Sequence, residues 1–233
     1  MTEADRYKRA AAERAVGFVE SGMRIGLGTG STARHVLDVL AERLRAGDLS
    51  DLVGVPTSRA TEEYAEKLDI PLTTLDDVQR LDVTIDGADE VDPRLDLIKG
   101  LGGALLWEKI VATVSDRLVV VVDGGKLVDR LGEKAPVPVE VVPFGWRTHL
   151  EFLAGQGAEP SRRTTDAGAP VVTDGGHCLI DCRFDGGVPD AVAFERALRG
   201  RVGIVESGLF LGMASAVVVS DAEGVRVLER GRT

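Results

Sequence analysis

Apolar positions along the chain recur at two spacings, and the two alternate. From residue 4 to residue 20, Ala11, Ala15, Phe18 and Val19 share one side at helical spacing, with Gly22 placed to stop the helix. Met23–Leu27 is an apolar strand, and Ala33, Val36, Leu37, Leu40, Ala41 and Leu44 then mark a helix closed by Gly47. Val53–Pro56 reads as a second strand, followed by a helix that Thr57 and Ser58 cap and that runs to Leu68. Further strands fall at Leu81–Ile85 and Arg117–Val122, with a helix between them from Ala104 to Val114. Strand and helix in turn predict an α/β fold with a doubly wound, mostly parallel, Rossmann-like sheet.

The pattern changes near Lys134. Pro136–Pro143 is a β-like linker, Trp146–Gln156 reads as a helix, and short strands follow around 160–165 and 177–184. Ala191–Leu198 is helical and Val202–Glu206 is a last strand. The order β-α-β-β-α-β predicts a smaller, ferredoxin-like α+β domain over residues 134–206. Residues 1–133 and 207–233 then form the Rossmann-like catalytic domain. The chain returns to that domain through Leu209–Leu211, Ala214–Ser220 and Val225–Leu228. No titratable cluster is visible in the smaller domain, so packing or subunit contact is its expected role.

Candidate chemistry gathers where strands should end. Asp86-Gly87-Ala88-Asp89-Glu90 follows the strand at Leu81–Ile85, then come Lys99-Gly100-Leu101-Gly102-Gly103 and Glu108-Lys109. Open α/β sheets hold ligands beyond the carboxyl ends of their strands, which makes Asp86 and Asp89 candidate site carboxylates. At about 100° per residue, Trp107, Ile110, Val111 and Val114 share one arc, and Glu108 falls on its border. Partial desolvation there raises a carboxylate's pKa and suits it to accept a proton near neutrality. Taken singly, each piece has a structural reading as a turn, a solvated helix edge or glycine punctuation. Their close spacing favours a site.

A second candidate is Gly26-Leu27-Gly28-Thr29-Gly30-Ser31-Thr32, which joins a strand to a helix. Backbone N–H groups and the helix dipole make such a turn an anion cradle, and Ser31 and Thr32 add hydroxyl donors. The dinucleotide fingerprint would need glycine where Ser31 stands, and no Gly-Lys-Ser/Thr occurs, so a monophosphate is the expected anion. Asp123-Gly124-Gly125-Lys126 closes another strand, where Lys126 can neutralise substrate charge. Lys8 alone reads as a surface lysine.

Composition narrows the partners. The 233 residues are 44% hydrophobic and 28% charged, with a net charge of −10. That balance argues against nucleic acid, which needs a basic surface, but leaves room for a small anion held by a few gathered cations. No apolar run approaches the roughly 18 residues of a membrane span. The start of the chain, Met1 to Arg9, lacks a signal-peptide core, so a cytoplasmic protein is expected. Cys178 and Cys182 point to one face of a strand with Ile180 and Phe184 and read as core thiols. His35, His149 and His177 form no ligand pattern, and neither a metal nor another cofactor is expected.

Together, Gly28-Thr-Gly-Ser-Thr32, Asp86-Gly-Ala-Asp-Glu90, Ile98-Lys-Gly100 with Gly102-Gly103, and Glu108-Lys-Ile110 resemble the ribose-5-phosphate isomerase A family. Asp123 with Lys126, Pro138-Val-Glu-Val-Val-Pro143, Val172-Thr-Asp174 and Gly208-Leu-Phe210 extend the resemblance over nearly the whole chain in the family's order. It implies interconversion of D-ribose 5-phosphate and D-ribulose 5-phosphate, without a metal, by a homodimer or homotetramer. By matching motif it makes Glu108 the proton acceptor. Thr29, Gly30, Ser31, Thr32, Asp86, Gly87, Ala88, Asp89, Lys99, Gly100, Leu101, Gly102 and Lys126 become substrate-binding residues, with Lys8 near the phosphate. Lys99 would stabilise charge on the carbonyl oxygen, and Asp86 and Asp89 would hold sugar hydroxyls. Leu101 stands where the family commonly has glycine, and Gly124-Gly125 replaces a small-serine pair. Alternatives are a related sugar-phosphate isomerase or CoA transferase, or a phosphosugar-sensing module that keeps the cradle without the base.

Overall fold

The computed structural model describes residues 2–230, so Met1 and residues 231–233 of the expected large domain lie outside it. In chain order the elements are α1 (Glu3–Val16), β1 (Arg24–Leu27), α2 (Ser31–Ala46), β2 (Val53–Pro56), α3 (Arg59–Lys67) and β3 (Val83–Gly87). Two short strands follow, β4 (Glu90–Val91) and β5 (Leu97–Ile98), then α4 (Leu105–Thr113), β6 (Leu118–Asp123) and a 3-10 turn at Gly124–Lys126. The remainder is β7 (Val137–Val141), α5 (Thr148–Gly155), β8 (Glu159–Arg162), β9 (Cys178–Arg183), α6 (Ala191–Arg199), β10 (Ile204–Ser207), β11 (Leu209–Phe210), β12 (Ala214–Asp221) and β13 (Gly224–Glu229).

Two compact units emerge. The first takes in the described residues up to Ala88, Trp107–Lys126 and the chain from Met213 onward. Its sheet has the order β13-β12-β6-β3-β1-β2, parallel throughout except for β13. This is the doubly wound sheet that the alternating pattern predicts. β6 (Leu-Val-Val-Val-Val-Asp) is buried from Leu118 to Val122, as a central parallel strand covered on both faces must be. Along α1, Ala11, Ala12, Ala15 and Val16 line the core beside Val36, Leu37 and Leu40 of α2. A capping box starts α1: the Thr2 hydroxyl accepts from the Asp5 N–H while the Asp5 carboxylate accepts from the Thr2 N–H. The helix ends at Val16 rather than residue 20, because Gly17 caps it and Phe18 and Val19 continue in tight turns.

The second unit comprises Asp89–Leu106 and Leu127–Gly212. Its four-stranded antiparallel sheet has the order β10-β7-β9-β8 and carries α5 and α6, the β-α-β-β-α-β arrangement expected of residues 134–206. The expected linker Pro136–Pro143 is therefore a central strand, β7, buried along its length. Cys178 and Cys182 are buried on one face with Ile180, and burial pushes the Cys182 thiol up to about 12. A three-stranded sheet, β11-β5-β4, completes the unit. Of Leu209–Leu211, read as a return to the first layer, Leu209 and Phe210 instead pair with β5 here. β4 and β5 escape the sequence pattern because strands of two residues show no periodicity.

Candidate active site

In the first unit β1 lies between β2 and β3, which makes the carboxyl end of β1 the point where the strand order reverses. Here Gly28 donates its N–H to Ile85 O at 3.0 Å, and Thr29 donates to Asp86 Oδ1 at 3.0 Å. Asp86 Oδ1 also accepts from the Gly87 N–H at 2.7 Å. No side chain fits at Gly28, since an added Cβ would lie 2.5 Å from the Asp86 Cα and 2.3 Å from its Oδ1. The turn and the end of β3 are thus held as one piece. Gly30 then opens α2, whose first turn carries no acid and no side-chain cap. Its N–H groups and dipole face the turn, and Lys8 Nζ reaches the Ser31 hydroxyl at 2.9 Å. A lysine beside an uncapped helix N-terminus is the electrostatic arrangement a phosphate requires.

The crossover from β3 to β6 carries α4. Leu81 N–H donates to Val114 O at 2.9 Å, which puts the end of the helix beside the start of β3. The first turn of α4, with Glu108, therefore points toward the carboxyl ends of the strands. Gly26 permits this packing, because an added Cβ there would lie 2.6 Å from Val111 Cγ1. The helix buries only part of the arc its apolar residues suggest: Val111 is buried with Val114 packed beside it, and the rest of the buried face is turned toward Glu108. Glu108 and Lys109 are each 5% exposed, while Ile110 is 44% exposed. The buried arc runs from Lys109 through Leu105, Ala112 and Glu108 to Ala104 and Val111. Glu108 is at its centre, not its border. Lys126 ends the 3-10 turn after β6, at the same edge of the sheet.

The second unit holds the remaining candidates. Lys99 is almost fully buried, with Nζ 5.5 Å from the centre of the Phe210 ring and its N–H bonded to Gly208 O at 2.9 Å. Leu101 N–H donates to Asp89 Oδ2 at 2.9 Å, tying the lysine-glycine loop to the acidic motif. The departure at Leu101 is accommodated by an exposed side chain. Glu90 is engaged differently. Its buried carboxylate accepts backbone N–H groups from Gly132 at 2.5 Å and from Lys134 and Ala135 at 2.6 Å each.

Several contributors have no sequence signature. Thr29 Oγ1 lies 2.8 Å from both Thr57 Oγ1 and Ser58 Oγ and 3.1 Å from Thr61 Oγ1, so a cluster of buried hydroxyls orients the glycine turn after β1. The second unit also contains titratable clusters where none was expected. Glu140 Oε1 accepts from the Thr173 hydroxyl at 2.8 Å and lies 2.9 Å from His177 Nδ1. Arg163 pairs with Asp181. Among the described residues no group of three or more His, Cys, Asp or Glu side chains could hold a metal ion, and no helix is long and apolar enough to cross a membrane.

A glycine turn at a strand switch point with a lysine beside its uncapped helix, and a buried carboxylate opening the helix of the next crossover, are features expected of an α/β enzyme that acts on a small phosphorylated substrate. A family model for ribose 5-phosphate isomerase A (phosphoriboisomerase A) matches residues 53–224. The ribose-5-phosphate isomerase A of Roseiflexus castenholzii is 53% identical over 223 residues, covering 96% of this chain and 95% of the relative. A D-ribose-5-phosphate isomerase solved in complex with phospho-erythronic acid superposes with a TM-score of 0.95 at 43% identity, covering 98% of this chain and all of that one. The Plasmodium falciparum ribose 5-phosphate isomerase gives a TM-score of 0.94 at 38% identity, with the same coverage. The chain belongs to the ribose 5-phosphate isomerase A family. It is an aldose–ketose isomerase that interconverts ribose 5-phosphate and ribulose 5-phosphate.

Proposed function

We propose that the isomerisation proceeds by proton transfer through an enediolate, with Glu108 as the base that carries the proton between C2 and C1. The observation that supports it most is the burial of Glu108 in the first turn of α4, facing the carboxyl-end edge of the sheet. A carboxylate shielded from water is a stronger base toward a carbon acid than an exposed one. Lys99 supplies positive charge to the carbonyl oxygen as it becomes an oxyanion, a contribution that grows toward the transition state. Thr29, Gly30, Ser31 and Thr32 hold the phosphate with Lys8, and Lys126 adds charge. This grip supplies remote binding energy for the reacting carbons.

Asp89 holds a sugar hydroxyl, and one of Asp86 and Asp89 assists ring opening. Asp86 shares the hydroxyl contacts, with one oxygen committed to the phosphate turn, and Gly87, Ala88, Gly100, Leu101 and Gly102 present backbone to the substrate. Phospho-erythronic acid, bound by the similar enzyme, joins a carboxylate to a phosphorylated chain and so resembles an enediolate phosphate in charge. The working form is a homodimer or homotetramer in the cytoplasm, acting on the free sugar phosphate.

Glu108→Gln tests the base. It should lower kcat about 10²- to 10⁴-fold, the usual range for a general base, with little change in the ribose 5-phosphate concentration that half-protects the protein against heat. Turnover near the parent's would remove Glu108 from the chemistry.

A further inference from the structure

We propose that Arg163, held by Asp181, is a positioning residue for the isomerisation: it fixes the Lys99–Gly102 loop through the loop's carbonyl groups. The inference rests on the reading that this loop meets the substrate. Arg163 directly follows β8, and its own backbone is tied on both sides. Its N–H donates to Leu179 O at 2.9 Å, and its carbonyl accepts from the Val171 N–H at 3.1 Å. The guanidinium is divided between Asp181 and the loop. Nε donates to Asp181 Oδ2 at 2.9 Å and Nη2 bonds to Asp181 Oδ1, a two-pronged pairing that sets the plane of the fork. Nη1 is thereby aimed at the loop, where it donates to Gly100 O at 2.8 Å and Leu101 O at 3.0 Å.

One peptide unit of the loop is gripped at both ends. In a trans peptide the C=O of one residue and the N–H of the next point in opposite directions. Gly100 O is held by Arg163, and the Leu101 N–H is held by Asp89 Oδ2. Rotation of that peptide would break both contacts, so Arg163 also fixes where a candidate catalytic carboxylate rests. Lys99 is the residue immediately before this unit. The side chains of Arg163 and Asp181 are only 12% and 18% exposed, so solvent screens the pair little and does not readily replace either partner. Lysine cannot reproduce the arrangement, because a single ammonium lacks the planar fork that serves a carboxylate and two carbonyls together.

The test compares Arg163→Ala and Arg163→Lys with the parent in a coupled assay on ribose 5-phosphate, alongside thermal unfolding. A misplaced loop should lower kcat by about 10²-fold in Arg163→Ala while KM moves far less. Arg163→Lys should fall between, and millimolar guanidinium ion should restore part of the lost kcat to Arg163→Ala only. Should Arg163→Ala not fold, Arg163→Lys carries the test through the same split between kcat and KM. Parent-like kcat and KM in a folded variant would overturn the proposal. So would a loss that guanidinium leaves untouched and that follows the loss of folded protein. Lys99→Ala in parallel separates the two readings. If it stays active, the loop has no part in the reaction; if it fails while the Arg163 variants work normally, Arg163 alone is refuted.

Discussion

Glu90 lies in the same acidic motif as Asp86 and Asp89, yet its bonds predict that it serves stability alone. Its buried carboxylate accepts the Gly132 N–H through Oε2 and the Lys134 and Ala135 N–H groups through Oε1. Glu90→Gln keeps the shape but offers one acceptor oxygen. Turned to its best orientation, the amide oxygen keeps Lys134 and Ala135 while its NH₂ faces the Gly132 N–H, donor against donor. Two charge-assisted bonds become neutral, at about 1 kcal/mol each, and one buried N–H loses its partner, at about 1–3 kcal/mol. The sum is about 3–5 kcal/mol, which for a chain of this size lowers the melting temperature by roughly 6–20 °C. Circular dichroism on heating reads the shift, and kcat for ribose 5-phosphate is measured well below the transition. A melting temperature that moves by less than about 2 °C would refute the structural role. A loss of more than about tenfold in kcat by the folded variant would refute it equally, for then Glu90 would be acting in the chemistry.

Two further outcomes are expected from the packing. Gly28→Ala puts a methyl group 2.3 Å from Asp86 Oδ1, forcing β1 and β3 apart at the phosphate turn. It should cost about 1–3 kcal/mol and raise KM for the sugar phosphate; an unchanged KM would show that the Thr29–Asp86 bond does not shape the cradle. His149 is buried, and burial, with repulsion from Arg201, holds its imidazole below the usual histidine range. The unfolded chain therefore takes up a proton there that the folded chain refuses, so stability should fall as pH drops below about 6.5. His149→Leu should flatten melting temperature between pH 7.5 and 5.5, and an unaltered slope would count against this assignment.

Legibility in the chain depended on where its physics is local. The doubly wound sheet was legible because Met23–Leu27 and Leu118–Val122 read as apolar strands and Leu81–Ile85 alternates apolar with polar residues, all separated by helical spacing, and α2 carries its left-handed Gly47 cap where the pattern puts it. The β-α-β-β-α-β order survived even though β7 looked like a linker, since Pro136, Pro138 and Pro143 hide a central strand whose neighbours come from distant sequence. The buried face of α4 was only partly legible: Val111 lies on it as its spacing suggests, but Ile110 is exposed. Hydrophobic periodicity assumes that the face excluded from water is apolar, and Glu108 and Lys109 break that assumption at a candidate site. Arg163 was invisible for a related reason: its worth comes from Asp181, Gly100 and Leu101, none of which is near it in sequence. The hydroxyls of Thr57 and Thr61 were hidden in the same way behind the helix cap at Ser58. Within the acidic motif, residue type alone does not separate the roles. Asp86, Asp89 and Glu90 look alike in the chain, but Glu90 spends both oxygens on the backbone of residues 132–135, whereas Asp86 and Asp89 each give an oxygen to a glycine-rich segment assigned to the substrate. A carboxylate's part in this enzyme is therefore set by the N–H groups it meets, and those are supplied by the fold.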